Sequence, residues 1–246
     1  MRKVASRLRA APRRVRYAVA ALAVVLVLLA VNWLYQVARK PTELFLLDAT
    51  LSKTPRETWR EYGALFRRHA TAAIPPELLA ALAQVEGAGN PVARTYWRWR
   101  LTHEPFEIYR PASSAVGMYQ ITDGTFREAR RYCVRDHVVV EDGPWHAWRS
   151  CWFNSLYFRV IPSHAVEMTA ALLDRQVGAI APRAGAAQKQ DLAAAVHLCG
   201  AAAGAAFAAR GFRPAPGQRC GDQDLRTYLA RVNAMKREFA RLRSLG

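Results

Sequence analysis

The sequence predicts a mainly α-helical domain with a small irregular or β excursion, preceded by a single transmembrane helix. Three features predict this arrangement: a long uncharged segment near the amino terminus, apolar residues at helical spacing over most of the remaining chain, and an aromatic stretch of strand-like composition between two helices. At 246 residues the chain has room for one medium-sized domain and a short appendage.

The amino-terminal segment has the composition of a membrane anchor. Seven basic residues lie between Arg2 and Arg16, and residues 17–38 contain no charged side chain. A helix over 17–38 would span about 30 Å, the thickness of a bilayer core. The positive-inside rule then places the basic tail, 1–16, in the cytoplasm and the remainder in the periplasm, as a single-pass protein of the inner membrane.

A cleaved signal peptide is the competing interpretation of the same segment. The apolar run is long for a signal peptide, and no clear small-x-small cleavage site precedes Trp33. We therefore expect an uncleaved anchor, although both interpretations export the rest of the chain.

The four cysteines also favour export, because an even number is typical of proteins from oxidising compartments. Pairing neighbours in the sequence would give Cys133–Cys151 and Cys199–Cys220, and each bond would stabilise the fold by about 3 kcal/mol. A zinc site is a poor alternative because the sequence has no CxxC motif. Free buried thiols are the remaining alternative.

Residues 39–55 are predicted to link the anchor to a domain over 56–246. The expected elements of this domain follow from caps, prolines and apolar spacing. The first half contains a helix capped by Thr54 or Thr58 and ending near His69, a helix from Pro75-Pro76 to Gly87, and an excursion over 92–122. A helix over 125–133 follows, with Thr125 and Glu128 at capping-box spacing. The second half contains a helix over 163–176, a loop over 178–185, an Ala-rich helix capped by Asp191, and a last helix from about Asp222.

The Ala-rich stretch over 192–209 raises the question of a second membrane span, because it is nearly uncharged and about 18 residues long. Its Ala and Gly residues gain little from lipid, and it contains His197. We therefore expect a packed core helix.

The net charge of +17 indicates a polyanionic partner. Nine of the 36 Lys and Arg residues lie in 1–40, which has no acidic residue, so the other 27 face 19 Asp and Glu. Anionic lipid and an acidic cell-wall polymer fit this excess. We expect no nucleic-acid partner, because the charge is concentrated beside the anchor and no recognition motif occurs.

Glu86 is the candidate catalytic residue. It stands at the end of an apolar helix, where partial desolvation and the negative end of the helix dipole both favour a protonated carboxyl, as a general acid needs. The alternative for Glu86 is a solvated surface side chain near a helix end.

A second segment, Ser113 to Thr122, is a small-residue turn that runs into apolar residues around Gln120. Together with Glu86 and the Asn90-Pro91 turn, it resembles the soluble lytic transglycosylase family, whose domain is lysozyme-like. In that family a Glu at a helix end precedes Asn-Pro, and a Gly-Leu-Met-Gln turn follows about thirty residues later. The matching residues here are Gly117, Met118, Tyr119 and Gln120.

The third family block, Ala-x-Tyr-Asn-Ala-Gly, is matched weakly by Ala195 to Gly200. This sequence has His197 in place of Tyr, Leu198 in place of Asn, and Gly87 in place of the Ser that follows the catalytic Glu. We expect the imidazole of His197 to reach the Glu86 carboxyl, as the family tyrosine does; the alternative is a core histidine bonded to backbone.

The resemblance implies cleavage of peptidoglycan glycan strands by one acid/base, Glu86, without a metal or cofactor. It also implies substrate contacts from Ser114, Gly117, Met118, Tyr119, Gln120 and His197. The second catalytic role would fall to the substrate, whose C6 hydroxyl attacks C1 to leave a 1,6-anhydro sugar. The other candidates are a water-using lysozyme-type hydrolase and a non-catalytic wall-binding or scaffold protein, and cell-envelope machinery is a further candidate partner.

Aromatic and basic side chains could line a sugar groove in such an enzyme. Arg98 and Arg100 are candidates to bind the carboxylates of the wall polymer. Eight aromatic residues are candidates for stacking on sugar rings: Tyr96, Trp97, Trp99, Tyr109, Tyr119, Trp145, Trp148 and Trp152.

Overall fold

The computed structural model describes residues 12–44, 48–141, 143–144, 146–147 and 150–245, and these residues are mainly helical, as predicted. The helices are α1 (Arg13–Arg39), α2 (Pro55–His69), α3 (Pro76–Gly87), α4 (Asp123–Ala129), α5 (Pro162–Ile180), α6 (Ala186–Cys199), α7 (Ala201–Ala209) and α8 (Leu225–Ser244). The strands are β1 (Trp97–Trp99), β2 (Tyr109–Pro111), β3 (Tyr132–Arg135), β4 (Val138–Glu141), β5 (Arg219–Cys220) and β6 (Gln223–Asp224), which pair in order as three antiparallel hairpins.

The chain divides into two compact units that do not follow a single cut in the sequence. The first contains residues 1–46 and 96–112, and the second contains residues 47–95 and 113–246. The sequence predicts a continuous domain over 56–246, whereas the contacts group 96–112 with the amino-terminal segment. The basic tail predicted over 1–16 lies mostly outside the described residues.

In the first unit, α1 is the one helix among the described residues that is long and apolar enough to cross a membrane. Its side chains are exposed along most of its length because few residues of the chain pack on it. The hairpin β1–β2 packs on its last turns, and Pro105–Glu107 forms a short 3-10 helix between the two strands.

The second unit is built around α3, whose residues from Leu78 to Ala83 are fully buried. Helices α2, α5 and α8 pack around it, which explains why α3 is apolar on every face rather than along one stripe. Each neighbour contributes large side chains to this core, among them Phe66, Met168 and Phe239.

The start of α2 is the one that the sequence predicts. The Thr54 hydroxyl accepts a hydrogen bond from the Glu57 amide at 3.3 Å, and the Glu57 carboxylate accepts one from the Thr54 amide at 2.9 Å. This reciprocal pair satisfies two of the amides that the first turn leaves without helical partners. Thr58, the alternative cap, lies inside the helix and is buried.

The prediction of a helix over 125–133 is wrong at both ends. The cap is Thr122, which accepts a hydrogen bond from the Thr125 amide, and the helix ends at Ala129. Cys133 then lies in β3, which pairs with β4 through a turn at Asp136 and His137. Both turn residues have positive φ, which suits a tight hairpin, and three consecutive valines in β4 favour a strand.

The Ala-rich stretch is two helices rather than one. Gly200 has φ 81° and ends α6, and α7 begins at the next residue. Asp191, the predicted cap, lies inside α6, where its carboxylate accepts a hydrogen bond from Asn233 of α8 at 2.8 Å. This helix begins earlier, at Ala186, after Gly185. Leu192 to Val196 are buried, so the core interpretation holds for the first part of the stretch, whereas in α7 only Gly204 and Phe207 are buried.

The two predicted disulfides are present. Cys133–Cys151 joins β3 to the segment that precedes the 3-10 helix Trp152–Leu156, and Cys199–Cys220 joins the end of α6 to β5. All four cysteines are therefore paired. Disulfides persist in oxidising compartments, so this pairing fits an exported domain.

A buried polar cluster lies beside the first disulfide, around Glu167 of α5. Its carboxylate accepts hydrogen bonds from the Val134 amide at 3.0 Å and the Tyr157 hydroxyl at 2.6 Å. His69 also approaches this carboxylate and is 6% exposed. Burial lowers the pKa of His69, because the imidazolium loses its solvation, and the Glu167 charge opposes the effect only in part.

The lowered pKa of His69 predicts a loss of stability in mild acid. As the pH falls through about 6.5, the unfolded chain binds a proton at this position before the folded protein does, so the free energy of unfolding decreases. The melting temperature should therefore fall between pH 7.5 and pH 5.5, and His69→Gln should show a smaller fall. The exposed His103 supplies the control, since His103→Gln should keep the wild-type pH dependence. An unchanged pH dependence in His69→Gln would contradict the prediction.

Candidate active site

Glu86 lies in the last turn of α3, and 10% of its side chain is exposed. Ala88 adopts a left-handed conformation with φ 49°, and its amide donates to the Gln84 carbonyl at 3.0 Å. The Gly89 amide donates to the Ala83 carbonyl at 3.0 Å, which closes the last turn. Because the chain leaves the helix immediately after Gly87, the Glu86 carboxyl lies at the end of α3 rather than in the middle of a longer helix.

Gly87 places this helix end directly against the turn that follows the excursion. A Cβ at position 87 would lie 2.8 Å from the Met118 Cα and 3.0 Å from the Met118 carbonyl oxygen. The backbones of α3 and this turn are therefore too close for any side chain at position 87. Close packing explains why glycine occupies the position at which the resembling family has a serine.

The turn itself runs from Gly117 to Gln120 and is closed on both sides. Val116 and Ile121 exchange backbone hydrogen bonds at 3.2 and 3.0 Å, and the Gly117 amide donates to the Ala93 carbonyl at 2.9 Å. Gly117 has φ 80°, a conformation that favours glycine. Backbone hydrogen bonds thus hold the turn against the residue that follows Glu86.

Tyr228 of α8 holds the Glu86 carboxyl. Its hydroxyl donates a hydrogen bond to Glu86 Oε1 at 2.5 Å. Burial, with a smaller contribution from the Glu86 charge, raises the pKa of Tyr228 well above its ordinary value, so the hydroxyl keeps its proton and acts as a donor. The side chain of Glu86 is 10% exposed, and its second oxygen, Oε2, accepts no hydrogen bond from any described residue.

Sequence reasoning did not identify Tyr228. A signal for it does exist: Tyr228 follows Leu225 by three residues and precedes Val232 by four, so it lies on the buried face of α8. A tyrosine on a buried helix face needs a partner for its hydroxyl, and a carboxylate elsewhere in the core is a strong acceptor.

His197 of α6 lies near the same carboxyl, but the hydrogen bond expected from its imidazole is made by Tyr228 instead. Its Nε2 lies 3.9 Å from Glu86 Oε1, beyond hydrogen-bonding distance, and its side chain is 10% exposed. The ring of Tyr119 meets the imidazole edge to face, with 6.4 Å between centroids. Glu86 therefore lies between side chains from α6 and α8.

The second disulfide connects these two helices through the chain. Cys199 is the last residue of α6, two residues after His197, and Cys220 precedes the Asp224 cap of α8 by four residues. The Asp224 carboxylate accepts a hydrogen bond from the Thr227 amide at 2.8 Å, which fixes the first turn of α8 just before Tyr228. A covalent bond thus restrains both groups that face Glu86.

A cavity of about 340 Å³ opens beside His197. Gln120 and Thr125 line one side of it, and Gln176 of α5 lines another. The cavity offers both apolar surface and amide or hydroxyl groups, as a sugar unit requires. His197 lines this cavity and also approaches Glu86, whereas Glu86 is not itself one of the lining residues.

The other predicted substrate residues form hydrogen bonds within the protein or are buried in its core. The Ser114 hydroxyl accepts a hydrogen bond from the Asp123 amide at 3.1 Å, and the Gln120 side-chain amide donates to the carbonyls of Ala93 and Gly117 at 3.2 and 2.9 Å. Met118 and Tyr119 are fully buried, so their side chains offer no exposed surface to a sugar ring.

The predicted aromatic groove residues are divided between the two units. Tyr96, Trp97, Trp99 and Tyr109 belong to the first unit, together with Arg98 and Arg100. Trp152 belongs to the second unit and is 44% exposed. Trp145 and Trp148 lie outside the described residues.

Among the described residues, no group of three His, Cys, Asp or Glu side chains is arranged to hold a metal ion. Comparisons with protein-family models, with curated proteins and with solved structures found no match for this chain. Inferences about its function therefore depend on the geometry around Glu86 and on the resemblance of the residues that surround it.

The contact of Gly87 with the turn predicts a penalty for any larger residue. Gly87→Ser would force the Cβ into the Met118 backbone, and we expect the free energy of unfolding to fall by about 1–3 kcal/mol in chemical denaturation. Gly178→Ser is the matched control, because a Cβ at this helical glycine meets no atom within 4 Å. Equal stability of the two variants would show that the backbones can separate at no cost.

Proposed function

We propose that this chain is a membrane-anchored lytic transglycosylase that cleaves the glycan strands of peptidoglycan, with Glu86 as its acid/base. The second unit would be a lysozyme-like domain, and the strands it cuts would be its principal partner. The proposal is supported by the motif resemblance around Glu86 and Gly117 to Gln120, and by the way in which the fold brings these two segments into contact.

The observation that carries the proposal is the state of the Glu86 carboxyl. One oxygen is fixed by the Tyr228 hydroxyl at 2.5 Å, and the other has no described partner. A general acid/base needs this asymmetry, because one oxygen must be oriented while the other exchanges a proton with substrate. A carboxylate that only stabilised the fold would be expected to use both oxygens, as the Glu167 carboxylate does.

The reaction that we propose needs one carboxyl. Protonated Glu86 would donate its proton to the oxygen of the glycosidic bond between N-acetylmuramic acid and N-acetylglucosamine, and the N-acetyl group of the muramic sugar would stabilise the cationic C1. The carboxylate would then remove the proton from the C6 hydroxyl of that sugar as its oxygen bonds to C1. The products are a 1,6-anhydro end and a free C4 hydroxyl, and no water is consumed.

The substrate supplies the second catalytic group in this scheme, which fits what surrounds Glu86. The side chains in contact with its carboxyl are a tyrosine and a histidine, whereas ordinary glycosidases use a second carboxylate as nucleophile or base. Tethering the nucleophile to the reacting sugar makes the attack intramolecular, which lowers its entropic cost.

We further propose that α1 anchors the enzyme in the inner membrane, with the catalytic unit in the periplasm. The disulfides fit an oxidising compartment, and α1 is long enough to span a bilayer. Asn32 and Gln36 of α1 donate hydrogen bonds to carbonyls in 96–112, at 2.7 and 2.6 Å. These contacts favour an anchor that remains attached over a signal peptide, whose removal would leave the carbonyls without donors.

Analysis of the products tests the reaction. The wild-type protein should release anhydro-muropeptides from isolated sacculi, detected by mass spectrometry, and Glu86→Gln should reduce the rate by about 10²–10⁴-fold. Glu61→Gln, at a half-exposed position on α2, is the control and should keep the wild-type rate. Reducing ends in place of anhydro ends would identify a hydrolase, and sacculus binding without cleavage by wild type would identify a wall-binding protein.

The bond from Tyr228 to Glu86 predicts a selective loss of catalysis. In Tyr228→Phe the carboxyl loses its fixed orientation, and we expect kcat to fall by about tenfold or more with little change in KM. Tyr157→Phe removes a comparable bond, from Tyr157 to Glu167 at 2.6 Å, and should lower the melting temperature but keep kcat. Equal kcat values for the two variants would refute a positioning role for Tyr228.

A further inference from the structure

The excursion over 96–112 is bound to the last turns of the apolar helix α1. Asn32 donates to the Tyr109 carbonyl at 2.7 Å and Gln36 donates to the Phe106 carbonyl at 2.6 Å. The rings of Tyr35 and Phe106 stack with centroids 4.4 Å apart. The first unit is therefore a helix whose far end carries a fixed hairpin.

The positions of these contacts along α1 give the depth of the hairpin in a bilayer. From Tyr17 to Gln36 a helix rises about 28 Å, close to the thickness of the hydrocarbon core. Asn32 and Gln36 would thus lie near the far boundary of the core, where an unpaired amide is costly. The carbonyls of the hairpin accept hydrogen bonds from the NH2 groups of both side chains, so the hairpin would lie at the same boundary.

The hairpin exposes apolar and aromatic side chains at this boundary. Leu101 is fully exposed, and Trp99 and Tyr96 are 69% and 62% exposed. The ring of Tyr109 holds Trp99 in place, with centroids 4.4 Å apart. Tryptophan and tyrosine are the residues that prefer the interface between lipid and water, so this surface has the composition of an interfacial element.

The charges of the hairpin are also complementary to lipid. Arg98 lies directly opposite Arg110 across the two strands, a pairing of like charges that is unfavourable without an anion nearby. Glu107 pairs with Arg110 and with Arg39 of α1, at 2.5 and 3.1 Å. Arg98 and Arg100 are exposed and form no ion pair with any described residue, so both can bind an external anion.

We propose that residues 96–112 form an interfacial hairpin, which inserts Trp99 and Leu101 into the outer leaflet and binds anionic lipid headgroups through Arg98 and Arg100. This inference rests on the proposed membrane anchor but not on the proposed reaction. A glycan strand is the competing occupant, since exposed aromatic rings also stack on sugars. Lipid is favoured because the hairpin is fastened to α1 at the depth of the lipid interface.

Fluorescence of a single label in the full chain tests the proposal. Because all four cysteines are in disulfides, Leu101→Cys introduces the one free thiol of the chain, which can carry an environment-sensitive dye. In lipid nanodiscs that contain phosphatidylglycerol, the dye at 101 should shift to shorter wavelength, and quenching by aqueous iodide should fall at least about threefold relative to the control.

Two further positions complete the design. Leu156→Cys, on an exposed leucine of the second unit, is the control and should stay accessible to iodide. Leu28→Cys, in the middle of α1, should be protected by lipid. An accessible dye at 28 would refute the anchor itself, whereas protection at 28 with free access at 101 would overturn only the hairpin proposal. Equal protection at 101 and 156 would also overturn it.

The lipid chemistry is tested in the same system. Replacing phosphatidylglycerol with phosphatidylcholine should reduce the protection of the dye at 101 in the wild-type background. In the double variant Arg98→Gln, Arg100→Gln the protection should no longer depend on the lipid charge. If the emission of the dye at 101 is the same in both lipids but shifts when soluble glycan strands are added, the surface binds the wall polymer and the proposal is overturned.

Discussion

The hydrogen bond from Tyr228 to Glu86 connects the packing of the second unit with the geometry of its candidate active site. The Glu86 side chain is 90% buried and has lost much of its contact with water. The hydrogen bond from the Tyr228 hydroxyl replaces part of this hydration, and because the pKa of Tyr228 is raised well above its ordinary value, the hydroxyl keeps its proton. For Tyr228 to reach Glu86, α8 must pack on α3 with Tyr228 beside the last turn of α3. The register is stabilised by the core side chains that both helices share and by the cap and disulfide that precede α8.

The approach of α3 to the Gly117–Gln120 turn is the second constraint, and it has a chemical cost. A side chain at position 87 would clash with the Met118 backbone. The fold therefore has no room for the serine that follows the catalytic Glu in the soluble lytic transglycosylase family. Tyr228 and His197 approach the carboxyl from α8 and α6, so the orientation of Glu86 depends on helices far along the chain rather than on its neighbour in sequence. A change in α6 or α8 should therefore alter Glu86 more than a change in the loop that follows it.

Much of this could be predicted from the sequence, and the failures have physical causes. The Thr54 cap, the buried α3 and both disulfides follow from local patterns that tertiary packing does not override. The hairpin β3–β4 was not predicted, because a short strand after a helix looks like its continuation until the positive φ of Asp136 and His137 is known. Tyr228 lies 142 residues from Glu86, a pairing that only tertiary structure reveals. The grouping of 96–112 with the amino-terminal segment likewise depends on contacts between segments far apart in the sequence.

The discontinuous first unit also limits how this protein can be shortened. A soluble fragment that began after α1 would retain 96–112, and with it the carbonyls of Phe106 and Tyr109 without the amides that now bind them. The ring of Phe106 and the Glu107 carboxylate would lose Tyr35 and Arg39 at the same time. Such a fragment would expose a strand edge next to exposed aromatic rings, and both features favour self-association during purification. A fragment suited to crystallisation would therefore replace 96–112 with a short turn as well as omit the helix.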